Sequence, residues 1–511
     1  MFHKVFYLVL LLCPVILSGV NSVFAQTKQV DKNILAGFEK SIAQGKIEEI
    51  ERPLLDLAVA NPNNPQVIQL LANVRFRQNR LPEAMALYKK VLTLDANAAL
   101  AKINLASVFY LSGQPTEARE LLANIAEIPI SDAPLRLKLA ATFLLIGQPQ
   151  KALDVTEKLP PATKNNNALP VIAASYATLK NEKKLAELVP LMKRAATTNP
   201  ILALQCAEIL QNAGMSQEAL SLLRTALTKA SSNFDILLAL AKFEIGARDF
   251  NLAKQHLSTA AKLKPSSAQL FFVQALLEQV QGNYVVALEL LKKAQTLAPN
   301  SPEILLQLVI TAMRANQART AVDAAQTLLE SKPDDPNYLY LLGAASLQNG
   351  DLSQAQANLQ RLMEMRPTDS RGCLALGLTL AAQNDQIENA RQQFLHCIEI
   401  DAGNVEANYQ LGLSYKIQGE TAKAIEYFEE TIKASPNYAP VLRDLGAVYL
   451  QSGAEQKARI VLEKSVALAP NDADTHFQLS RLYNFIGENA LAKKHLEMFQ
   501  KLKNSATKAL K

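Results

Sequence analysis

One alanine recurs along nearly the whole chain at a fixed period: Ala84, Ala118, Ala152, Ala186, Ala219, Ala253, Ala287, Ala321, Ala355, Ala390, Ala424, Ala458 and Ala492. The steps are 34 residues, apart from one of 33 and one of 35. Ile50 lies 34 residues before the first and marks a degenerate opening unit. A period of this size belongs to an array of small structural units, about fourteen of them here, each packing on its neighbours. At 511 residues the chain would otherwise suggest about three ordinary domains. The length instead counts repeats.

Other positions keep the same register, and each has a physical reason. Five residues before the alanine stands Gly113, Gly147, Gly214, Gly282, Gly350, Gly419, Gly453 or Gly487. A glycine there supplies the left-handed turn that ends one helix and opens the next. Twelve residues after the alanine comes Pro265, Pro299, Pro333, Pro367, Pro436 or Pro470, which stops the second helix. Twelve residues before it is another small residue, such as Ala106, Ala140, Ala241, Gly343, Gly412, Gly446 or Ser480. Four residues after it a bulky one returns, as in Tyr88, Leu257, Leu291, Leu359, Phe428, Leu462 and Leu496. Spacings of three, four and seven belong to one helix face.

The pattern resembles the tetratricopeptide repeat, a helix-turn-helix of 34 residues. Val405 to Pro436 carries it best, with Leu411-Gly412, Tyr415, Gly419, Ala424, Phe428 and Pro436 in place. The unit after it repeats Leu445-Gly446, Tyr449, Gly453, Ala458 and Pro470. The resemblance implies an all-α fold, an α-solenoid winding as a right-handed superhelix, over residues 31–504. Residues 26–30 then form a short linker and 505–511 a basic tail. Departures occur at Gln274, Val309 and Pro190, and the least regular unit after the first, about 167–199, predicts a local kink. The polar, lysine-rich stretch Ala490 to Lys511 is expected to cap the array.

Residues 1–25 read as an export signal. Lys4 precedes the apolar run Val5 to Leu12, and Val23-Phe24-Ala25 offers a cleavage site before Gln26. Val5 to Val20 is short of the ~20 residues a spanning helix needs. Leu12 before Cys13 is too large for a lipid-attachment motif. The mature chain is therefore expected outside the cytoplasm, periplasmic in a bacterium, with no membrane span after cleavage. Secretion, or tethering by an uncleaved signal, are the alternatives. A formal charge of +6, with 53 basic against 47 acidic residues and no basic run, disfavours nucleic-acid binding. Aromatic residues are only 6% of the chain and Trp is absent, as close packing through small residues allows.

In the repeat fold, the residues 15 and 11 before the alanine are expected to face the concave groove. From Phe272 through Leu413 these are Phe272 and Leu276, Leu306 and Ile310, Tyr340 and Ala344, Leu374 and Leu378 (counted one residue further back to allow for the inserted residue), and Tyr409 and Leu413. All ten are apolar or aromatic. Two readings fit: a groove that takes an apolar helix or extended segment of a partner, or side chains buried between neighbouring units. The resemblance also implies that a Lys and Asn clamp on these slots would hold a chaperone's terminal carboxylate. That clamp is absent.

After loss of Cys13, three cysteines remain. Cys206 falls in a core slot; Cys373 and Cys397 lie level across one helix pair, so a disulfide is conceivable in an oxidising compartment. His256, His396, His476 and His495 show no ligand spacing, and no phosphate loop, nucleophile elbow or carboxylate pair stands out. No catalytic residue, metal or cofactor is expected, and no stretch is left to house a catalytic domain. The resemblance implies a non-enzymatic protein–protein interaction scaffold, similar to exported bacterial repeat proteins of exopolysaccharide or envelope assembly. The alternative is an adaptor of a glycosyltransferase or glycan-modifying system, or a membrane-tethered adaptor for pilus or outer-membrane assembly.

Overall fold

The computed structural model describes residues 30–509, apart from 124, 126–131, 165, 230–231 and 384. The expected export signal lies outside the described residues. Among those residues no β-strand occurs: helix follows helix from Lys32–Ala43 to Asn489–Ala509. Contacts divide the chain into two compact bodies, one ending at Ser266 and the other beginning at Ser267.

Each body is a run of antiparallel helix pairs in the register of the alanines. In the second body the first helices are Ala268–Val280, Pro302–Arg314, Pro336–Asn349, Ser370–Ala381, Val405–Gln418, Ala439–Gln451 and Ala473–Phe485. Their partners begin with Tyr284–Leu297 and end with Asn489–Ala509. Some first helices start where Asn or Asp caps free backbone donors: Asp369 accepts from the N–H of Arg371 and Gly372, and Asn404 from that of Ala407. They stop where the chain turns left-handed. At Gly419 φ is +76°, and the N–H groups of Gly419 and Glu420 donate back to Lys416 and Tyr415. Asn79 and Asn316 hold the same conformation in units that lack the glycine.

The two helices of a pair have different burial. Second helices bury one narrow stripe, for example Ala355, Leu359 and Leu362, or Ala424, Phe428 and Thr431. First helices are buried on most sides; Val441, Leu442, Asp444 to Gly446, Val448 and Tyr449 are all inside. The two meet where the small slot faces the bulky one. A Cβ added at Gly412 would lie 2.4 Å from ring carbons of Phe428, and one at Gly446 2.4 Å from Cγ of Leu462, both too close for contact. After the inserted residue near 384, Gly377 takes the small slot against Phe394.

The irregular unit differs as its sequence suggests. Its first helix is only Leu169–Thr178, a one-turn helix Pro161–Lys164 precedes it, and Pro190 sits inside Glu182–Ala196. The last helix runs to Ala509, past the boundary expected at 504.

Gly412→Leu should destabilise the chain by about 3 kcal/mol, because the added side chain has no room beside Phe428. Gly453→Ala should cost about 1 kcal/mol through its positive φ, and Gly453→Asn less. Urea unfolding followed by far-UV circular dichroism orders the three variants.

Candidate functional site

The inner slots of the second body lie on its first helices, several of which touch the next first helix. Pro302–Arg314 contacts Pro336–Asn349, which contacts Ser370–Ala381; Val405–Gln418 contacts Ala439–Gln451. This neighbourhood decides how much of each slot meets water. Phe272 and Tyr409 are buried, at 7% and 8% exposure. Leu276, Leu306, Ile310, Tyr340, Ala344, Leu374, Leu378 and Leu413 are half-buried, and none of the ten is exposed. A fully open apolar strip is therefore not what these residues form. Eight of the ten side chains are partly covered by their surroundings, and the other two are buried.

Polar side chains bridge along the same helices. The Gln279 amide donates to Gln307 and Thr311, and that of Gln348 to the Met313 carbonyl at 3.0 Å. The Arg371 guanidinium lies over the Tyr340 ring at 4.9 Å, held by Asp369 at 2.9 Å. Its hydrogen bond keeps the Asp369 carboxyl below its ordinary value.

A charged cluster closes the strip beyond Leu413. Asp444 is buried; it accepts from the Tyr409 hydroxyl at 2.8 Å and from Lys416 and Arg443 at 2.5 and 2.9 Å. Burial alone would raise its carboxyl, but these donors hold it below the usual value. Tyr438 packs edge-on to Tyr409, with ring centres 5.3 Å apart. Tyr409, expected only as aromatic lining of the groove, commits its hydroxyl to Asp444. Their separation of 35 residues, one more than a repeat, is the signal that could have paired them.

The remaining candidates separate cleanly. Cys373 and Cys397 are joined as a disulfide with Cα atoms 5.7 Å apart. Cys206 is a buried free thiol whose pKa burial pushes up to about 12. His396 contacts the Pro367 carbonyl through Nε2, away from its sequence neighbour Cys397. His256 is held by the buried Glu244 at 2.7 Å, with Arg224 on the same carboxylate. His476 and His495, which no spacing linked, are brought together. Among the described residues no group of three or more His, Cys, Asp or Glu could hold a metal ion, and no helix is long and apolar enough to cross a membrane.

Family profiles described as tetratricopeptide repeat match residues 75–129, 238–302, 281–345 and 417–479. Anaphase-promoting complex subunit 3 of Schizosaccharomyces pombe is 23% identical over 25% of this chain and 24% of its own length, so the chain spans about a quarter of that relative. A tetratricopeptide repeat protein of Parabacteroides merdae is similar at 17% identity and a TM-score of 0.42, over 49% of this chain and 98% of that one. The Cut9–Hcn1 hetero-tetramer of the APC/C gives 15% identity and 0.39, over 88% and 96%.

Thiol titration in denaturant, without reductant, should find one reactive group, Cys206, if the chain has lost its first 25 residues, and two if Cys13 is retained. Two further thiols should appear on reduction. The disulfide closes a separation of 24 residues, so reducing it should lower stability by about 3 kcal/mol.

Proposed function

Because the chain belongs to the tetratricopeptide repeat proteins, we propose that it works as a protein–protein interaction scaffold without catalytic chemistry, taking partner segments along the inner slots of its second body. The observation that carries the reading is the run from Phe272 to Leu413, ten slots in five consecutive units without one charged or amide side chain. Half-buried leucines and isoleucines offer surface to an apolar segment while their neighbours hold them in place, so little conformational entropy is lost on binding. Such a groove suits an apolar helix or an extended segment better than a charged tail. The charged cluster around Asp444 marks where the apolar run stops.

The place of action we propose is the bacterial envelope, on the periplasmic side, in exopolysaccharide or surface-structure assembly. The support for this is the apolar run Val5 to Leu12 after Lys4, with a small-residue site before Gln26.

Leu306→Glu, Ile310→Glu and Leu378→Glu together should reduce crosslinked capture of partners from the envelope fraction at least tenfold. Far-UV circular dichroism should stay that of the parent chain. Unchanged capture by the folded triple variant would remove the groove from the account. N-terminal sequencing of the exported chain should read from Gln26; an intact Met1 would make it a tethered adaptor.

A further inference from the structure

His476 and His495 belong to the two helices of one pair, Ala473–Phe485 and Asn489–Ala509, and their Nδ1 atoms are 2.8 Å apart. The ring centres are 5.1 Å apart, about as far as rings joined through such a contact can be. Each nitrogen therefore points straight at the other. Two imidazoles on one tetrahedral zinc would hold their nitrogens about 3.3 Å apart, with both lone pairs converging on the metal from the side. The head-on arrangement is that of an N–H···N hydrogen bond.

The tautomers follow from one further contact. Nε2 of His476 lies 3.0 Å from the Pro470 carbonyl, which can only accept, so the proton of neutral His476 sits on Nε2. Its Nδ1 is bare, and Nδ1–H of His495 donates to it. The closed pair has room for one more proton, on Nε2 of His495. A second would have to go on Nδ1 of His476, where it would face N–H with N–H at 2.8 Å. Two separated histidines take up both.

We propose that this pair is an acid-sensitive latch: it ties the helix Asn489–Ala509 to its partner at neutral pH, and proton uptake by the two histidines releases that helix as pH falls.

The helix is poised for release by thin packing. Ala492 is the one buried residue among its described side chains, and Leu496 is 39% exposed. In the same slot of the six preceding units, Leu291, Ala325, Leu359, Phe394, Phe428 and Leu462 are 0–2% exposed. Local opening is drawn from such weakly packed elements.

The charges around the pair leave the sign unchanged. Burial, followed by His476 and Lys494, lowers the pKa of His495, while Glu463 on the preceding second helix opposes this. Glu463 also accepts from the Tyr483 hydroxyl and from Arg459, each at 2.8 Å, and Tyr483 stacks on His495. Asp472 is engaged by Thr475 and Arg443, and Glu488 by Arg459. A histidine with a lowered folded pKa adds stability that is present above its unfolded value of about 6.5 and lost as pH falls below it.

Native-state hydrogen exchange on the full chain, corrected for intrinsic rates, tests the latch. Between pH 6 and 5, amides of residues 493–505 should lose protection about tenfold per pH unit, for one proton taken up on opening. Amides of Val405–Gln418 should not follow. His495→Asn keeps a donor at the Nδ1 position, and its amide can turn to accept from a protonated His476; it should flatten the dependence. Ring-nitrogen NMR at pH 7.5 should find His476 as the Nε2–H and His495 as the Nδ1–H tautomer. Protection independent of pH, a slope unchanged in His495→Asn, or any other tautomer pair would overturn the proposal.

Discussion

The small-against-bulky contact inside each helix pair is what the rest of the fold depends on. Gly412 lies against Phe428 and Gly446 against Leu462, so closely that a Cβ would collide. The contact buries a Phe or Leu side chain completely, worth about 2–3 kcal/mol of transfer free energy. It also sets the distance between helix axes, and so decides which faces remain for the neighbouring unit. A single pair leaves much of its first helix apolar and uncovered, so it must stack on another.

The inner slots acquire their character from that stacking. A first helix lies between its own partner and its neighbours, which buries it on most sides and leaves the second helix with one exposed face. Half-burial of Leu306, Ile310 and Leu378 is the result. Such residues are too constrained to serve as loose surface and too open to be simple core. On the function proposed here, recognition would rest on shape and apolar area, with the Asp444 cluster as a polar boundary.

Much of the fold was legible because one period governs it. The alanine register predicts the helix pairs, the glycine slots predict the left-handed turns at Gly419 and Gly453, and the prolines predict the stops. Local rules suffice there, since caps, turns and helix faces depend on residues within about one helical turn. The inner slots were only half legible: their residue types were plain, but their exposure depends on a helix about 34 residues away. Gly377 was missed because the inserted residue shifts the register between one alanine and the next.

The sequence by itself determined the repeating unit, its all-helical content and the apolar chemistry of the slots from Phe272 to Leu413. These follow from spacing and side-chain type alone. Only the tertiary structure decided that the slots are half-buried, that the Tyr409 hydroxyl serves Asp444, and that His476 meets His495. Cys373 and Cys397, suggested by their level positions, needed a Cα separation of 5.7 Å to be joined. The reason is common to all four. Contacts between helices depend on the turn and on the rotation of each helix about its axis, which no spacing along a single helix records.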